Sequence, residues 1–510
     1  MLQEVEFRTI AAFGITSWQA QTAGDPRKSL RAPTIAGAGR VASNIMDAIV
    51  LCPVCGDQNA FDNSHCLECR ARLDNGRQVT QEEAQRLNLR RRAATRRRRI
   101  ARWSAMALLA VAVSGWIGYT TLGFANRLNP PESDISADSA VGDWPMFQRN
   151  PAHSGFVSDD VAVPEGTVVW QFETAAPIVS SPAVVQGALY LSTGDRRIVA
   201  LNAGDGTLIW EREVTGPVDS SPAVAGDLVF VGLKDGRVIA LAKSDGALQW
   251  EFQTGDLIYS SPAVHRGVVY IGSTDDRLYA LDAATGHERW SYETEGRVMS
   301  APALYEDVVS VTSQDRRIYI LDAVTGKHRL DIPTSDARGA PALDDEMAYV
   351  ADTGGLTTAI DWSKSELPFE KTARWVRTQL FWWQLVDTLP PPKGFVWRFR
   401  APRESFIGTP AVGADMVYVA SASGAVYGLN RADGGLAWTF RADDVVAGSP
   451  SIAGGTVYVG DVVGNVYGID ALTGEGSWRF KADGPVSSTP VLANDMLYVA
   501  SSNGILYAIQ

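Results

Sequence analysis

All four cysteines of this 510-residue chain fall in one short stretch, as Cys52-x-x-Cys55 and, ten residues on, Cys66-x-x-Cys69. Two such knuckles supply four thiolates for a tetrahedral zinc ion, with Zn–S bonds of about 2.3 Å. A full shell of thiolates leaves no position open to a substrate, so the expected ion is structural, and His65 is a spare ligand it does not need. Disulfides are the competing chemistry, but they require an oxidising compartment. The neighbouring sequence argues against one. Eight arginines crowd positions 90–102, directly before the uncharged, Ala/Leu/Val-rich stretch 103–126. A basic flank of this kind stays on the cytoplasmic side of a bilayer, where thiols are reduced.

The elements around the cysteines follow from that flank. Residues 103–125, at about 1.5 Å rise each, match a hydrocarbon core of about 30 Å, so a single transmembrane helix is expected. It would run N-in and C-out, placing everything after it on the extracytoplasmic side of the cell membrane. A cleaved signal peptide ending near Ala125 is the alternative, disfavoured by the folded-looking segment upstream. Ala110, Ser114 and Gly118 form a small-residue stripe that suits a homodimer through this helix. The expected organisation is therefore a disordered or non-native stretch at 1–45, with Met46 as a natural start, then a zinc ribbon at 46–76. An Arg-rich juxtamembrane segment (77–102), the helix (103–125), a linker (126–142) and a large domain (143–510) follow.

Net charge divides the same way. Of the formal −12, residues 1–142 hold eighteen Lys/Arg against thirteen Asp/Glu, leaving −17 on the outer side. An acidic outer domain repels DNA and RNA, so no nucleic-acid partner is expected. The arginine run is explained by topology and by anionic lipid headgroups.

The large domain is a repeat of about forty residues. A small residue precedes a proline at Pro182, Pro222, Pro262, Pro302, Pro341, Pro410, Pro450 and Pro490. In step with it run Trp170, Trp210, Trp250, Trp290, then Leu330, Trp397, Trp438 and Trp478. Each copy reads as four short β-branched runs broken by Asp-Gly and Thr-Gly turns, which is hairpin chemistry. A unit of this size that repeats must stack on copies of itself. The fold class is all-β, an eight-bladed β-propeller with four-stranded blades. The chain ends on the third strand of its last blade, and 168–172 supplies the missing fourth, closing the ring and removing the sheet edge.

The segments 280–290, 320–330, 428–438 and 468–478 resemble the tryptophan-docking motif of the pyrroloquinoline-quinone (PQQ) repeat family. The lead-in Asp143-Trp144-Pro145-Met146-Phe147-Gln148-Arg149-Asn150-Pro151-Ala152-His153-Ser154-Gly155 is similar to the start of such domains, and the cysteine segment resembles short bacterial zinc ribbons. The resemblance implies a fold more than an activity, because the family holds both quinoprotein dehydrogenases and non-catalytic envelope scaffolds. Its dehydrogenases imply PQQ, a calcium ion, a catalytic aspartate and a disulfide between adjacent cysteines. This propeller has no cysteine, and its recurring acids Asp195, Asp235, Asp275 and Asp315 occupy tight turns, where side-chain hydrogen bonding is their expected work. PQQ and catalysis are therefore not expected.

Binding sites are sought where the repeat is irregular. Three residues before each proline the slot varies freely, and Asp219, Tyr259, Met299 and Arg338 form a mixed arc expected at the channel mouth. The fifth repeat carries an insertion near 362–394, read as an aromatic helix over 370–389 that ends at Pro390-Pro391-Pro392. Its Trp375, Phe381, Trp382 and Trp383 are candidate contacts for a partner or a membrane surface. The whole chain reads as a membrane-anchored, non-catalytic binding scaffold for cell-envelope proteins. The alternatives are a membrane-anchored PQQ dehydrogenase and a sensor coupling the propeller to the zinc ribbon.

Overall fold

Each repeat alternates apolar runs with glycine turns, and in the computed structural model each folds as one antiparallel four-stranded sheet, the last borrowing a strand from the start of the domain. The structure describes residues 48–121, 130–131, 133–135, 142–157, 164, 166–366, 369–389 and 391–510. The stretch 1–45 and Met46 lie outside them. By packing, the chain divides into two units, 1–110 and 111–510.

In the first unit, β1 (Ala48–Leu51) pairs with both β2 (Gln58–Ala60) and β3 (Arg77–Thr80). The small sheet thus extends past the expected boundary at 76, because β1 needs a partner on its second edge. Its hydrophobic cluster is small, Val50, Cys52, Cys66 and Leu73 with Ala71 against them. A helix, α1 (Gln81–Thr121), follows directly. The Glu83 N–H donates to Thr80 Oγ1 at 3.4 Å, one arm of a Thr-x-x-Glu capping box. Among the described residues no helix is long and apolar enough to cross a membrane. The expected span runs on into 122–125, which lie outside the described residues.

In the second unit, β4 (Val168–Glu173) and the strands after it form eight four-stranded sheets, spanning 183–213, 223–253, 263–293, 303–333, 342–400, 411–441, 451–481 and 491–509. The second sheet shows why the repeat reads as it does. Ala223, Phe230, Ala240 and Trp250 face one another across its four strands. Small and large residues alternate along that row, so adjacent sheets interlock. The last sheet has only three strands of its own, and β4 completes it, with Trp170 opposite Ala508.

Six tryptophans couple their sheets to the next, while Trp478 Nε1 has no such partner among the described residues. The Trp250 Nε1–H donates to Ala283 O at 2.9 Å, and its ring lies against Gly286 of the following sheet. Trp210, Trp290 and Trp438 make the same bond to Lys243, Ala323 and Ala471. Gly286 has φ +74, and a Cβ there would lie 2.6 Å from the Trp250 ring. The Thr-Gly of the motif therefore serves both the turn and the docking. In the fourth sheet Leu330 takes the tryptophan's place and Gly394 lies beneath it. The insertion thus replaces the Thr-Gly turn of the fifth sheet and keeps its glycine.

The inserted helix, α2 (Glu370–Trp382), is shorter than the sequence suggests. Gln384 is left-handed at φ 58, which turns the chain out of the helix well before the prolines.

Candidate functional site

The residue before each marker proline ties the channel together. The Ser181 N–H donates to Ser221 Oγ and the Ser221 N–H to Ser261 Oγ, both at 2.9 Å. Equivalent bonds run from Ala340 to Thr409, from Thr409 to Ser449, and from Thr489 back to Ser181. A hydroxyl here satisfies a buried donor of the preceding sheet, which is why the slot favours Ser and Thr. Ala301 and Ala340 have no hydroxyl to offer. At those two junctions Ser260 Oγ–H instead reaches Ser300 O at 2.9 Å, and Thr312 Oγ1–H reaches Gly339 O at 3.1 Å.

The lead-in segment plugs the channel. Carbonyls of Trp144, Pro145 and Pro151 accept from Val184, Val224 and Leu304, and those of Ala152, Ser154 and Gly155 from Leu343, Val412 and Ile452, all at 2.7–2.8 Å. Each donor lies two residues beyond a marker proline. So tight an arc requires left-handed backbone at Gln148, Arg149, His153 and Gly155. His153 is fully enclosed, with Nδ1 3.2 Å from Pro341 O and its ring edge-on to Phe147 at 5.4 Å. Burial pushes its pKa down to about 4, since the charged form would be desolvated. The sequence contains this segment as a resemblance only. Its contacts are one or two backbone hydrogen bonds per sheet from an aperiodic stretch, so no repeat signal marks them.

The plug turns the channel mouth into a cup of about 220 Å³ whose lining includes Phe147. Asp219, Tyr259, Met299 and Arg338 line it together, with Val179, Ile407, Ala447 and Ser487 from the same slot. Lys234 pairs with Asp219 and stands 5.0 Å above the Tyr259 ring. Gln314 Nε2 lies 2.9 Å from Met299 Sδ, and Arg338 Nε lies 3.4 Å from Asp336 Oδ2. A second cleft of about 370 Å³, lined by Arg297, Met299, Gln314, Asp336 and Arg338, adjoins this arc. It lies at the junction flanked by the two alanines. The arrangement offers hydrogen bonds, a cation over an aromatic ring and an exposed guanidinium, which is the chemistry of recognition.

The recurring turn acids are occupied. Asp235 Oδ1 accepts from the Arg237 N–H at 3.2 Å, and Asp275 Oδ1 from the Arg277 N–H at 3.1 Å. Asp275 also accepts from the Gly255 N–H at 2.7 Å and the Tyr279 hydroxyl at 2.6 Å. These bonds close the turn and hold the loop arriving from the preceding sheet.

In the first unit, the sulfurs of Cys52, Cys55, Cys66 and Cys69 lie within 4.8 Å of one another. Cys52–Cys69 is 3.5 Å and Cys55–Cys66 is 3.4 Å. Tetrahedral zinc needs sulfurs about 3.8 Å apart for Zn–S bonds of about 2.3 Å, so the set fits the ion. The Asn59 amide also points at Cys66 Sγ, 3.6 Å away, as an outer partner for a thiolate. Burial raises the Cys52 pKa, but the backbone N–H groups of Cys55 and Val54 outweigh it and hold the thiol down at about 6.

Four-stranded sheets stacked in a ring, closed by the first strand and docked by tryptophan, define a β-propeller of the PQQ-repeat class. The family profile described as outer membrane protein assembly factor BamB matches residues 155–258, 256–374, 384–447 and 441–510, and the chain belongs to that family. No curated protein matches it. Among solved structures it is similar to BamB from Moraxella catarrhalis, at 20% identity and TM-score 0.55 over 68% of this chain and 98% of that one. It is similar also to a europium-containing methanol dehydrogenase, at 14% identity and TM-score 0.59 over 72% and 98%. A quinohemoprotein alcohol dehydrogenase from Comamonas testosteroni matches at 15% identity and TM-score 0.58 over 76% and 82%. At these identities the likeness is one of fold.

Proposed function

We propose that the chain is a membrane-tethered scaffold whose eight-bladed propeller binds proteins of the cell envelope and carries out no chemistry of its own. The observation that carries this reading is the use of the channel's polar groups. Its hydroxyls and turn acids are engaged in holding sheets together, while the irregular arc of Asp219, Tyr259, Met299 and Arg338 faces an accessible cup. The BamB family match supports a binding role. In this reading α1 and the residues after it anchor the chain, with the zinc ribbon cytoplasmic and the propeller outside. Exposed Trp103, Met106, Leu108, Leu109, Val111 and Trp116 behind the arginine run support the anchor. The zinc ion would hold the ribbon together, since a cluster of four buried side chains makes too small a core alone.

The test separates scaffold from dehydrogenase. The purified full chain is titrated with PQQ and calcium by calorimetry and assayed for dye-linked alcohol oxidation. In parallel, a photo-cross-linking residue placed at Tyr259 is used in cells, with and without Arg338→Glu. The scaffold reading expects no turnover and one envelope protein cross-linked in an Arg338-dependent way. Calcium-dependent quinone binding with turnover would overturn it.

A further inference from the structure

The insertion carries most of its aromatics outward. Glu370, Arg374, Thr378, Leu380 and Phe381 of α2 are half-buried, while Trp375, Val376 and Trp382, with Phe369 and Trp383 at its two ends, are exposed. Two ion pairs hold the polar face down, Lys393 Nζ to Glu370 Oε2 at 2.7 Å and Arg374 Nη2 to Glu366 Oε1 at 2.9 Å. Phe369 is 85% exposed, Trp375 62%, Trp382 71% and Trp383 68%. Trp375 and Trp382, seven residues apart, share one stripe of the helix, with Val376 beside it and Phe369 and Trp383 flanking the two helix ends. At about 150–250 Å² per ring, the four aromatics leave roughly 400–700 Å² of apolar surface in water. Monomeric proteins rarely present more than a few hundred Å² in one patch.

Topology says what this side faces. In an antiparallel meander the first and third turns lie at one end of each sheet, and the second turn with the connection onward lies at the other. The insertion replaces a third turn. The linker arriving from α1 docks on first turns: the Gly267 N–H donates to Ile135 O at 2.7 Å, and Ile135 also lies against Gly226. The aromatic helix and the arriving chain therefore share one end of the propeller, and the cup of Asp219 and Arg338 opens at the other. Within this acidic domain the helix is also locally basic, with Lys371, Arg374 and Arg377 against Glu370.

We propose that the end of the propeller bearing α2 is a docking face for the surface of an anionic bilayer, with Trp375, Trp382 and Trp383 entering the headgroup layer. This inference rests on the membrane tether of the preceding reading. Tryptophan suits that layer because its ring is apolar and its N–H polar, and flanking arginine attracts anionic lipid. The cup would then face away from the membrane, open to a partner.

The full chain is reconstituted into phosphatidylcholine–phosphatidylglycerol vesicles whose acyl chains carry bromine at a shallow or a deep position, and tryptophan emission is recorded. Wild type is compared with W375S/W382S/W383S, whose fold is checked by circular dichroism. Three of the chain's fifteen tryptophans are changed, so shallow quenching should be larger in wild type by up to about a fifth of the emission. Arg377→Glu should weaken that quenching on anionic vesicles and leave it unchanged on pure phosphatidylcholine. Equal shallow quenching of wild type and triple variant overturns the docking face, as does protection of 369–389 only on adding a protein extract. Loss of deep quenching, to which Trp103 and Trp116 contribute, would instead sink the tether.

Discussion

Replacing Gly286 by alanine tests whether tryptophan docking holds the sheets together. Two terms add at this position. Its φ of +74 is a left-handed conformation that costs a residue with a Cβ about 1–2 kcal/mol. The new methyl would also lie 2.6 Å from the Trp250 ring, and overpacking of this kind costs about 1–3 kcal/mol. The sum is about 2–5 kcal/mol. Gly187→Ala provides the control, because its φ is +77 but nothing lies within 4 Å of the added carbon. It should lose only the first term. Urea unfolding of the full chain, followed by circular dichroism, reads the two variants side by side. A double-mutant cycle with Trp250→Ala then isolates the steric part, which should vanish once the ring is gone. If Gly286→Ala is no more damaging than Gly187→Ala, the ring does not bear on the glycine and the account of the motif fails.

Two further outcomes follow from the plug and the cysteines. His153 is held neutral, with a folded pKa near 4 against an unfolded value near 6.5, so the unfolded chain takes up its proton first as pH falls. The associated stability is complete above pH ~6.5 and is lost on acidification toward pH 4, up to about 3 kcal/mol. Unfolding midpoints of wild type and His153→Gln measured across that window should show the steeper decline in wild type, while carboxylate titration common to both cancels. For the ribbon, metal analysis of the purified chain should find one zinc per molecule and a large loss in Cys52→Ala. Hydrogen exchange should then show β1, β2 and β3 unprotected while the sheets of 183–509 are unchanged. Full protection of β1 without metal would sink the structural role.

The repeat made most of the fold legible. Tryptophan and proline markers in register, with glycine turns between them, are local signals, and the strands at 223–253 form where the pattern places them. The closing strand was legible too, because a sheet ending at Ile509 needs a partner and 168–172 has the right composition. What the sequence concealed was aperiodic. The plug makes one or two backbone hydrogen bonds to each of several sheets, and backbone groups can come from almost any residue type, so 142–157 carries no readable code for it. The helix end escapes the sequence for a related reason: the left-handed turn at Gln384 is closed by backbone bonds from Gln384 to Phe381 and from Leu385 to Leu380, which need no particular side chain, whereas the prolines at 390–392 are the visible stop.

The departures from the repeat also fall at two different ends of the sheets. A closed ring of similar sheets presents much the same surface at each junction, so selective binding must come from positions where the copies differ. At one end the differences are single side chains, Asp219, Tyr259, Met299 and Arg338, set around a floor that the plug fixes. At the other they are an inserted helix and the arriving linker, both laid over first and third turns. Because strand direction alternates, an insertion into a third turn cannot reach the cup without crossing the sheet. Each end is therefore free to change without disturbing the other. Substitution of Trp382 should leave Arg338-dependent cross-linking at the cup intact, and loss of both together would mean that the two ends act as one surface.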